Sequence, residues 1–324
     1  MSAPGALRIG TRASALALAQ TRGIAELLAG CGLVAPEIVP LTTSGDRDAG
    51  TGNDARADDK SRWVDTIEDA LLAGEIDLAV HSAKDLPGEL AAGLQLLGAP
   101  PRARVEDVLR FARDGRDGEG APPGLEGLRE GARVGTSSIR RAAQLRAARA
   151  DLDIVTIAGN VDTRLRKLEH GDLDAIVLAR AGLQRLGRES EIGAVLDPAL
   201  FVPAPGQGTL ALEARDDDAR VAEAVEAILD VDTSACLQAE RALARALDAS
   251  CHTPLGAHAQ AAGCGCYGLR AWVGLPDGSA WVADELLGGF YDPTELGTRM
   301  AERMSAAGAR ELLHRAQEMA VAGA

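Results

Sequence analysis

Aromatic side chains are nearly missing from this 324-residue chain, at 2% of its residues. With 46% hydrophobic content, its core must be packed from Ala, Val, Leu and Ile. A basic surplus is missing as well. The formal net charge is −14, which excludes sequence-blind nucleic-acid binding through a broad basic surface but leaves room for a local basic cleft. No run of about 18 apolar residues occurs, so no helical membrane span is expected. Residues 1–6 are too short and mixed for a secretory signal, and the chain reads as a soluble cytoplasmic protein. Cysteine is scarce and unpatterned. Cys31, Cys236, Cys251, Cys264 and Cys266 are odd in number and form no disulfide framework. Lysine is confined to Lys60, Lys84 and Lys167 among 34 basic residues, so each one kept is informative.

What is present is an alternation of strand-like and helical patterns. Leu7 to Thr11 reads as a strand. Ser14 follows as an N-cap, with Leu16, Gln20, Ile24, Leu27 and Leu28 at helical spacing. Ile38 to Leu41 is a second strand, 44–62 a polar, mobile loop, 63–73 a helix and Ile76 to Val80 a buried strand. This βαβ rhythm predicts a parallel or mixed α/β sheet. After a Gly- and Pro-rich loop at 114–124, a second α/β unit has strands at Arg133 to Thr136, Asp153 to Ile157 and Ala175 to Leu178. Pro203-Ala204-Pro205-Gly206-Gln207-Gly208 reads as a hinge or crossover, and Leu210 to Arg215 as a strand returning to the first sheet. From about residue 230 the pattern becomes α+β: a helix over Ser234 to Leu247, a hairpin of Tyr267 to Leu275 and Ser279 to Leu286 turning at Pro276-Asp277-Gly278, and two last helices.

Five segments set small polar or basic residues at strand ends, where α/β folds bind ligands. They are Gly10-Thr11-Arg12-Ala13-Ser14, Ser82-Ala83-Lys84-Asp85, Val134-Gly135-Thr136-Ser137-Ser138-Ile139-Arg140-Arg141, Gly159-Asn160-Val161-Asp162-Thr163-Arg164 and Ala181-Gly182-Leu183-Gln184-Arg185. In the third, a Thr-Ser-Ser cap is followed by two arginines in a first helical turn, where they oppose the helix dipole. Such misplaced charge suggests an anionic ligand gripped by guanidinium groups; a solvated helix start is the plain alternative. Asp85 is either a proton-moving carboxylate or an ordinary turn aspartate. Cys251, on the turn Ser250-Cys251-His252-Thr253-Pro254, is either a nucleophile or attachment point, or a small buried hydrophobe. A zinc site from Cys251, His252, His258, Cys264 and Cys266 fits poorly, because Cys-Gly-Cys is not the usual ligand spacing. His81 reads as a packed, hydrogen-bonded imidazole, and Trp63, Trp272 and Trp281 as core or loop anchors.

The ordered set of motifs resembles the porphobilinogen deaminase (hydroxymethylbilane synthase) family. Arg8-Ile9-Gly10-Thr11-Arg12-Ala13-Ser14, Ala79-Val80-His81-Ser82-Ala83-Lys84-Asp85-Leu86-Pro87, the Val134 to Arg141 and Gly159 to Leu165 segments, Ala181 to Gly187 and Pro203 to Gly208 carry the likeness from about residue 7 onward. The resemblance implies two α/β domains built like a type II periplasmic binding protein and a smaller C-terminal α+β domain. The boundaries are 1–104 with 209–228, then 105–208, then 229–324. It further implies a dipyrromethane cofactor held by a thioether to Cys251. Porphobilinogen units join it head to tail with loss of ammonia, and hydroxymethylbilane is released. By motif position, Asp85 is the catalytic residue. Ser82, Lys84, Thr136, Ser138, Arg140, Arg141, Arg164 and Arg185 are cofactor-binding, and Arg12, Lys60, Trp63 and Gln207 are substrate-binding. No metal is implied. The implied partner is a small pyrrole with carboxylate side chains, with no nucleic acid or membrane, acting on a monomer.

The chain departs from the family pattern in three places. Ala158 stands where the family usually has Arg, Asp58-Asp59-Lys60-Ser61-Arg62-Trp63 replaces a Gly-rich loop, and Ser250 replaces a Gly before the attachment cysteine. Losing one charge-assisted contact to a carboxylate costs roughly 1.5–3 kcal/mol. These departures motivate an alternative, a paralogue that couples a different pyrrole or stops at a shorter chain such as a dipyrrole. A non-catalytic carboxylate-binding protein is the reading of another class, and the retention of Asp85 and Cys251 argues against it.

Overall fold

The computed structural model describes residues 5–41, 61–112, 124–250, 253–290 and 292–322. The expected loops at 44–62 and 114–124 fall, but for their last residues, outside these. In chain order the first elements are β1 (Arg8–Arg12), α1 (Ala15–Gly30), β2 (Glu37–Leu41), α2 (Ser61–Leu72), β3 (Leu78–Ser82) and β4 (Leu94–Gly98). Next come β5 (Asp107–Phe111), β6 (Arg133–Gly135), α3 (Ile139–Ala148), β7 (Asp153–Val155), α4 (Val161–His170), β8 (Ala175–Ala179), α5 (Arg180–Arg185) and β9 (Ala194–Val195). The chain continues through β10 (Leu210–Arg215), α6 (Ala219–Glu226) and α7 (Val231–Ala246). It finishes with β11 (Leu255–Gly263), β12 (Cys266–Gly274), β13 (Trp281–Phe290), α8 (Pro293–Ala306) and α9 (Ala309–Ala322).

Two compact units result: Met1–Ala103 with Thr209–Leu237, and Arg104–Gly208 with Gln238–Ala324. The first holds a five-stranded sheet in the order β2-β1-β3-β10-β4. β1 pairs in parallel with β2 and β3, while β10 is antiparallel to both of its neighbours. The second unit repeats this wiring as β7-β6-β8-β5-β9, with β5 as the antiparallel strand, and adds the antiparallel sheet β11-β12-β13. The architecture is therefore α/β in two sheets with a smaller α+β part after them, as expected. Strand β10 does return to the first sheet.

Local chemistry explains the elements that position the strand ends. Ser14 accepts the Ala17 N–H and starts α1, which buries Gln20, Thr21, Ile24 and Leu28 and ends where the Cys31 N–H returns to the Leu27 carbonyl. Ile24 and Leu28 pack with Ile9, Leu78, Leu212, Val221 and Val225 into one core. Burying each such side chain is worth about 1.5–3 kcal/mol. In the second unit Leu109, Val134, Leu145 and Val177 form one cluster, and Val108, Leu165, Ile176 and Leu183 another. Strands β5 and β8 therefore each supply apolar residues to two clusters, the pattern of a sheet covered on both faces. Among the described residues, no helix is long and apolar enough to cross a membrane.

Strand β11 was not anticipated. Its Ala-, Gly- and Gln-rich sequence has little strand propensity of its own, and pairing along β12 from Leu255↔Val273 to Gly263↔Cys266 imposes the extended form. The hairpin after β12 is present, with β13 running four residues beyond the expected Leu286, to Phe290. Trp272 is a core residue, as expected, whereas Trp281 lies half exposed at the head of β13.

Candidate active site

In the first unit, β1 and β3 run parallel, so their C-terminal ends lie at one edge of the sheet. β1 ends at half-buried Arg12, and β3 at Ser82. The hydroxyl of Ser82 is held by the side-chain amide of Gln20, whose Nε2 donates to Oγ at 2.9 Å. A single 3-10 turn, Ala83–Asp85, follows immediately. The Ala83 N–H bonds to the Thr209 carbonyl at 3.0 Å, and the Leu86 N–H closes the turn on the Ala83 carbonyl. Leu86 is extended, as a residue before proline must be. Lys84 and Asp85 thus sit half-buried on a short turn pinned at both ends. Gln20 entered the sequence pattern only as a member of the helix; its one signal was an amide on an otherwise apolar face.

Beneath this turn, His81 is 6% exposed and its Nε2 lies 2.8 Å from Oε2 of the fully buried Glu213 on β10. The packed imidazole expected from the sequence is what the fold contains. Glu68 on α2 is held above the ordinary carboxylate range, first by burial and then by the nearby charge of Glu213.

The second unit gathers more of the expected residues. Thr136, buried just past β6, accepts the Ser138 N–H at 3.1 Å, and Ser138 in turn caps α3 by accepting from the Arg141 N–H at 3.4 Å. Arg140 and Arg141 therefore occupy the first turn of α3, but they do not project into solvent; they are 3% and 5% exposed. Both converge on Asp107, the first residue of β5, which is 0% exposed. Oδ2 of Asp107 accepts from Arg140 Nη2 at 2.7 Å, and Oδ1 accepts from Arg141 Nε and Nη2 at 3.0 and 2.6 Å. The Gln207 amide adds a fourth donor at 2.9 Å. Arg140 Nη1 also donates to the Val202 carbonyl at 2.7 Å, and Arg141 Nη1 to the Val177 carbonyl at 3.1 Å.

Asp107 was missed by the sequence reading. Its signal was an acid heading the apolar run of β5, but its partners lie more than 30 positions away. Burial alone would push its carboxyl up. The charges of Arg140 and Arg141 and their hydrogen bonds outweigh that and hold it well below the usual carboxylate range. The cluster still contains two guanidinium groups against one carboxylate. Nε of Arg140 is buried and makes no hydrogen bond among the described residues.

Two further arginines join this region through short links. Gly159 has φ +114, a left-handed conformation that a side chain would strain, and it hands the chain to Asn160, which caps α4 through the Thr163 N–H at 2.9 Å. From α4, Arg164 donates to the Gly159 carbonyl and to the Ser137 hydroxyl, both at 2.7 Å, so it ties the two loops together. Ala158 offers only its carbonyl, which accepts Lys167 Nζ at 3.2 Å. Arg185, at the end of α5, donates to the Gly208 carbonyl at 2.7 Å. Burial pulls its guanidinium down to about 10, and among the described residues no carboxylate pairs with it.

Gln207 is almost fully buried and is engaged by the Val105 carbonyl and Asp107. Lys60 and Cys251, and the side chain of Trp63, lie outside the described residues. The residues flanking the cysteine turn are pinned: the Ser250 N–H donates to Thr253 Oγ1 at 2.8 Å and the Thr253 N–H to the Ser250 carbonyl at 3.1 Å. Among the described residues, no group of three or more His, Cys, Asp or Glu side chains is arranged to hold a metal ion.

The Asp107 cluster makes a sharp stability prediction. Asp107→Ala strands two buried guanidinium groups and lowers the unfolding free energy by about 3–5 kcal/mol, read from urea denaturation. The pH dependence has a definite sign. The folded pKa is depressed, so the contribution is complete above the unfolded value of about 4 and fades as pH falls towards the folded one. The stability gap between wild type and variant narrows in acid, and a gap constant from pH 7 to pH 2 contradicts the assignment.

Two family models match the chain. "Porphobilinogen deaminase, dipyromethane cofactor binding domain" covers residues 7–223, and "Porphobilinogen deaminase, C-terminal domain" covers residues 234–306. Curated relatives include the porphobilinogen deaminase of Trichlorobacter lovleyi, 41% identical over 96% of this chain and 96% of that protein. That of Deinococcus radiodurans is 42% identical over 96% and 98%. That of Rubrobacter xylanophilus is 44% identical over 95% and 97%. Among solved structures, immunogenic lipoprotein A from Vibrio vulnificus aligns with 68% of this chain and 94% of its own at 13% identity and TM-score 0.39.

Proposed function

The chain belongs to the porphobilinogen deaminase family, and on that premise we propose how its own residues serve the condensation of porphobilinogen units on a dipyrromethane cofactor. The observation that carries the reading is the positive charge buried in the second unit of a protein whose net charge is −14. Arg140 and Arg141 outnumber Asp107, Arg140 Nε has no hydrogen-bond partner among the described residues, and Arg185 is held near pKa 10 with no described carboxylate beside it. A donor set of this kind fits the acetate and propionate groups of pyrroles, which guanidinium forks bind in pairs of hydrogen bonds.

When bound, the dipyrromethane supplies the pyrrole carbon to which the next unit is joined. Cys251, between Ser250 and Thr253 in the chain, would hold it by a thioether and so keep it at high effective concentration beside the substrate. Arg140, Arg141, Arg164 and Arg185 take carboxylates, and Thr136 and Ser138 fix the loop that presents the first two. In the first unit, Ser82 and Lys84 bind beside Asp85, with Ser82 oriented by Gln20. The Asp85 carboxyl group, in its protonated form, passes its proton to the departing amine, and as the resulting carboxylate it faces the positive charge that amine loss leaves on the substrate. Arg12, Lys60, Trp63 and Gln207 complete the substrate contacts, Gln207 through its hold on Asp107. The released product is hydroxymethylbilane. The protein works as a cytoplasmic monomer on a small molecule, with domains at 1–104 plus 209–228, 105–208 and 229–324.

One observation favours a second reading. Position 158 presents a methyl group and a carbonyl already taken by Lys167, where the family has a guanidinium, and a site with one clamp fewer suits a shorter product. Incubation with porphobilinogen, followed by mass analysis of the released pyrroles and assay of ammonia, separates the two. The first reading predicts a tetrapyrrole from the native protein. It also predicts that Ala158→Arg lowers KM by roughly tenfold or more with kcat little changed, the signature of one added contact that substrate and transition state feel equally. A dipyrrole from the native protein, with tetrapyrrole appearing only after Ala158→Arg, favours the second.

A further inference from the structure

We propose that Cys264 and Cys266 form a reversible dithiol–disulfide site at the tip of the β11–β12 hairpin, independent of the pyrrole chemistry. The register runs Ala261↔Tyr267 and then Gly263↔Cys266, which leaves Cys264 and Gly265 as a two-residue loop. Residues 263, 264 and 265 all have positive φ, at 85, 53 and 73°. Loops of this kind select Gly, Asn or Asp at both central positions. A cysteine there is not what the turn itself requires. Both residues are free thiols; Cys264 is exposed and Cys266 partly so.

The Cys266 sulfur lies against the loop that carries Cys264. The Cys266 side chain folds back over the loop, with Sγ 3.9 Å from the Cys264 carbonyl oxygen. With one residue between them, in a bent chain, the two Cα atoms lie within about 7 Å, the span a disulfide bridges after a rotation of the Cys264 side chain. Glycines on both sides of Cys264 let the backbone adjust. The other described cysteines lack such a neighbour: Cys236 is buried and Cys31 is exposed in the first unit. So small a ring is strained, which makes the bond easy to reduce and suits a switchable site more than a structural staple.

The oxidant is a peroxide. One thiolate attacks the peroxide oxygen, forming a sulfenic acid and releasing the first water. The second thiol then attacks the sulfenic sulfur, forming the S–S bond and releasing the second water. Two electrons pass from the sulfur pair to the peroxide, and a dithiol reductant reverses the change. Strand β11, nine residues long, separates this tip from the attachment turn by roughly 30 Å, so the reaction leaves the tether at Cys251 untouched.

The test uses the full-length protein as purified. It is treated with hydrogen peroxide, capped with N-ethylmaleimide, digested and weighed by mass spectrometry. The expected result is a peptide containing residues 264 and 266 that is lighter by two hydrogens, uncapped, and restored to two capped thiols by dithiothreitol. Cys266→Ser should abolish that species and leave Cys264 as a sulfenic or sulfinic acid. Porphobilinogen turnover should be unchanged by either treatment, so the outcome does not hang on the reading of the active site. Both thiols remaining cappable at peroxide levels that oxidise Cys31, or cross-linking between chains in place of the internal bond, would overturn the proposal.

Discussion

Asp85→Ala is expected to release ammonia from porphobilinogen about 10²- to 10⁴-fold more slowly than the native protein, with its fold and denaturation midpoint unchanged. The magnitude is that of a positioned proton-transfer group. The location explains why stability is spared. Asp85 is the last residue of a half-buried 3-10 turn held by backbone bonds from the Ala83 N–H to the Thr209 carbonyl and from the Leu86 N–H to the Ala83 carbonyl. None of them needs the carboxylate. Asp85→Asn is the sharper test because it keeps the shape and removes the ionisable group. It should lose as much activity as the alanine variant, and Asp85→Glu should recover part of it. Circular dichroism and urea denaturation must accompany the rates. An asparagine variant with near-native turnover removes Asp85 from the chemistry.

Cys251→Ser should lose turnover completely, and for a different reason. Tethering converts each encounter into an intramolecular step, and effective concentrations in such cases reach on the order of 10⁵–10⁸ M. Without the sulfur, no dipyrromethane is retained and the guanidinium groups hold only free pyrroles. The turn itself should survive, since the bonds between Ser250 and Thr253 do not involve residue 251. The variant should therefore purify as a folded protein that still binds pyrrole carboxylates weakly, detectable by calorimetry, but releases no product. The contrast separates the two roles: Asp85→Ala keeps its bound cofactor and fails to turn over, whereas Cys251→Ser fails to carry the cofactor at all. A Cys251→Ser protein with native kcat contradicts the tether.

Much of this was legible in the sequence because it is local. Ser14 and Ser138 announce helix starts through short-range cap chemistry, and each cap is present with its hydrogen bond. Strands β3 and β8 announce themselves as apolar runs, and β1 and β6 as short strands leading into polar segments. The turn that carries Lys84 and Asp85 follows from a strand ending before Leu86-Pro87. What stayed hidden depends on pairing at a distance. Strand β11 is extended because β12 lies beside it, not because Ala and Gly prefer that form. The crossing of β5 into the second sheet and β10 into the first has no signature in either segment, although the return of β10 could be guessed. Asp107 is the most instructive case. Read alone, Arg140 and Arg141 suggest a ligand anion at a helix start. The fold answers part of that demand from within, with a carboxylate 33 and 34 positions upstream. The remaining excess of positive charge, at Arg140 and at Arg185, is what still asks for a ligand, and only the burial of Arg140 and the partial burial of Arg185 make it visible.

Intact-mass spectrometry of the purified protein, native and Cys251→Ser side by side, tests the central claim most directly. The native chain should weigh more than its sequence by two pyrrole units, localised by digestion to the peptide containing Cys251, and the serine variant should match its sequence mass. A native protein at its bare sequence mass that nevertheless forms tetrapyrrole from porphobilinogen would contradict the account.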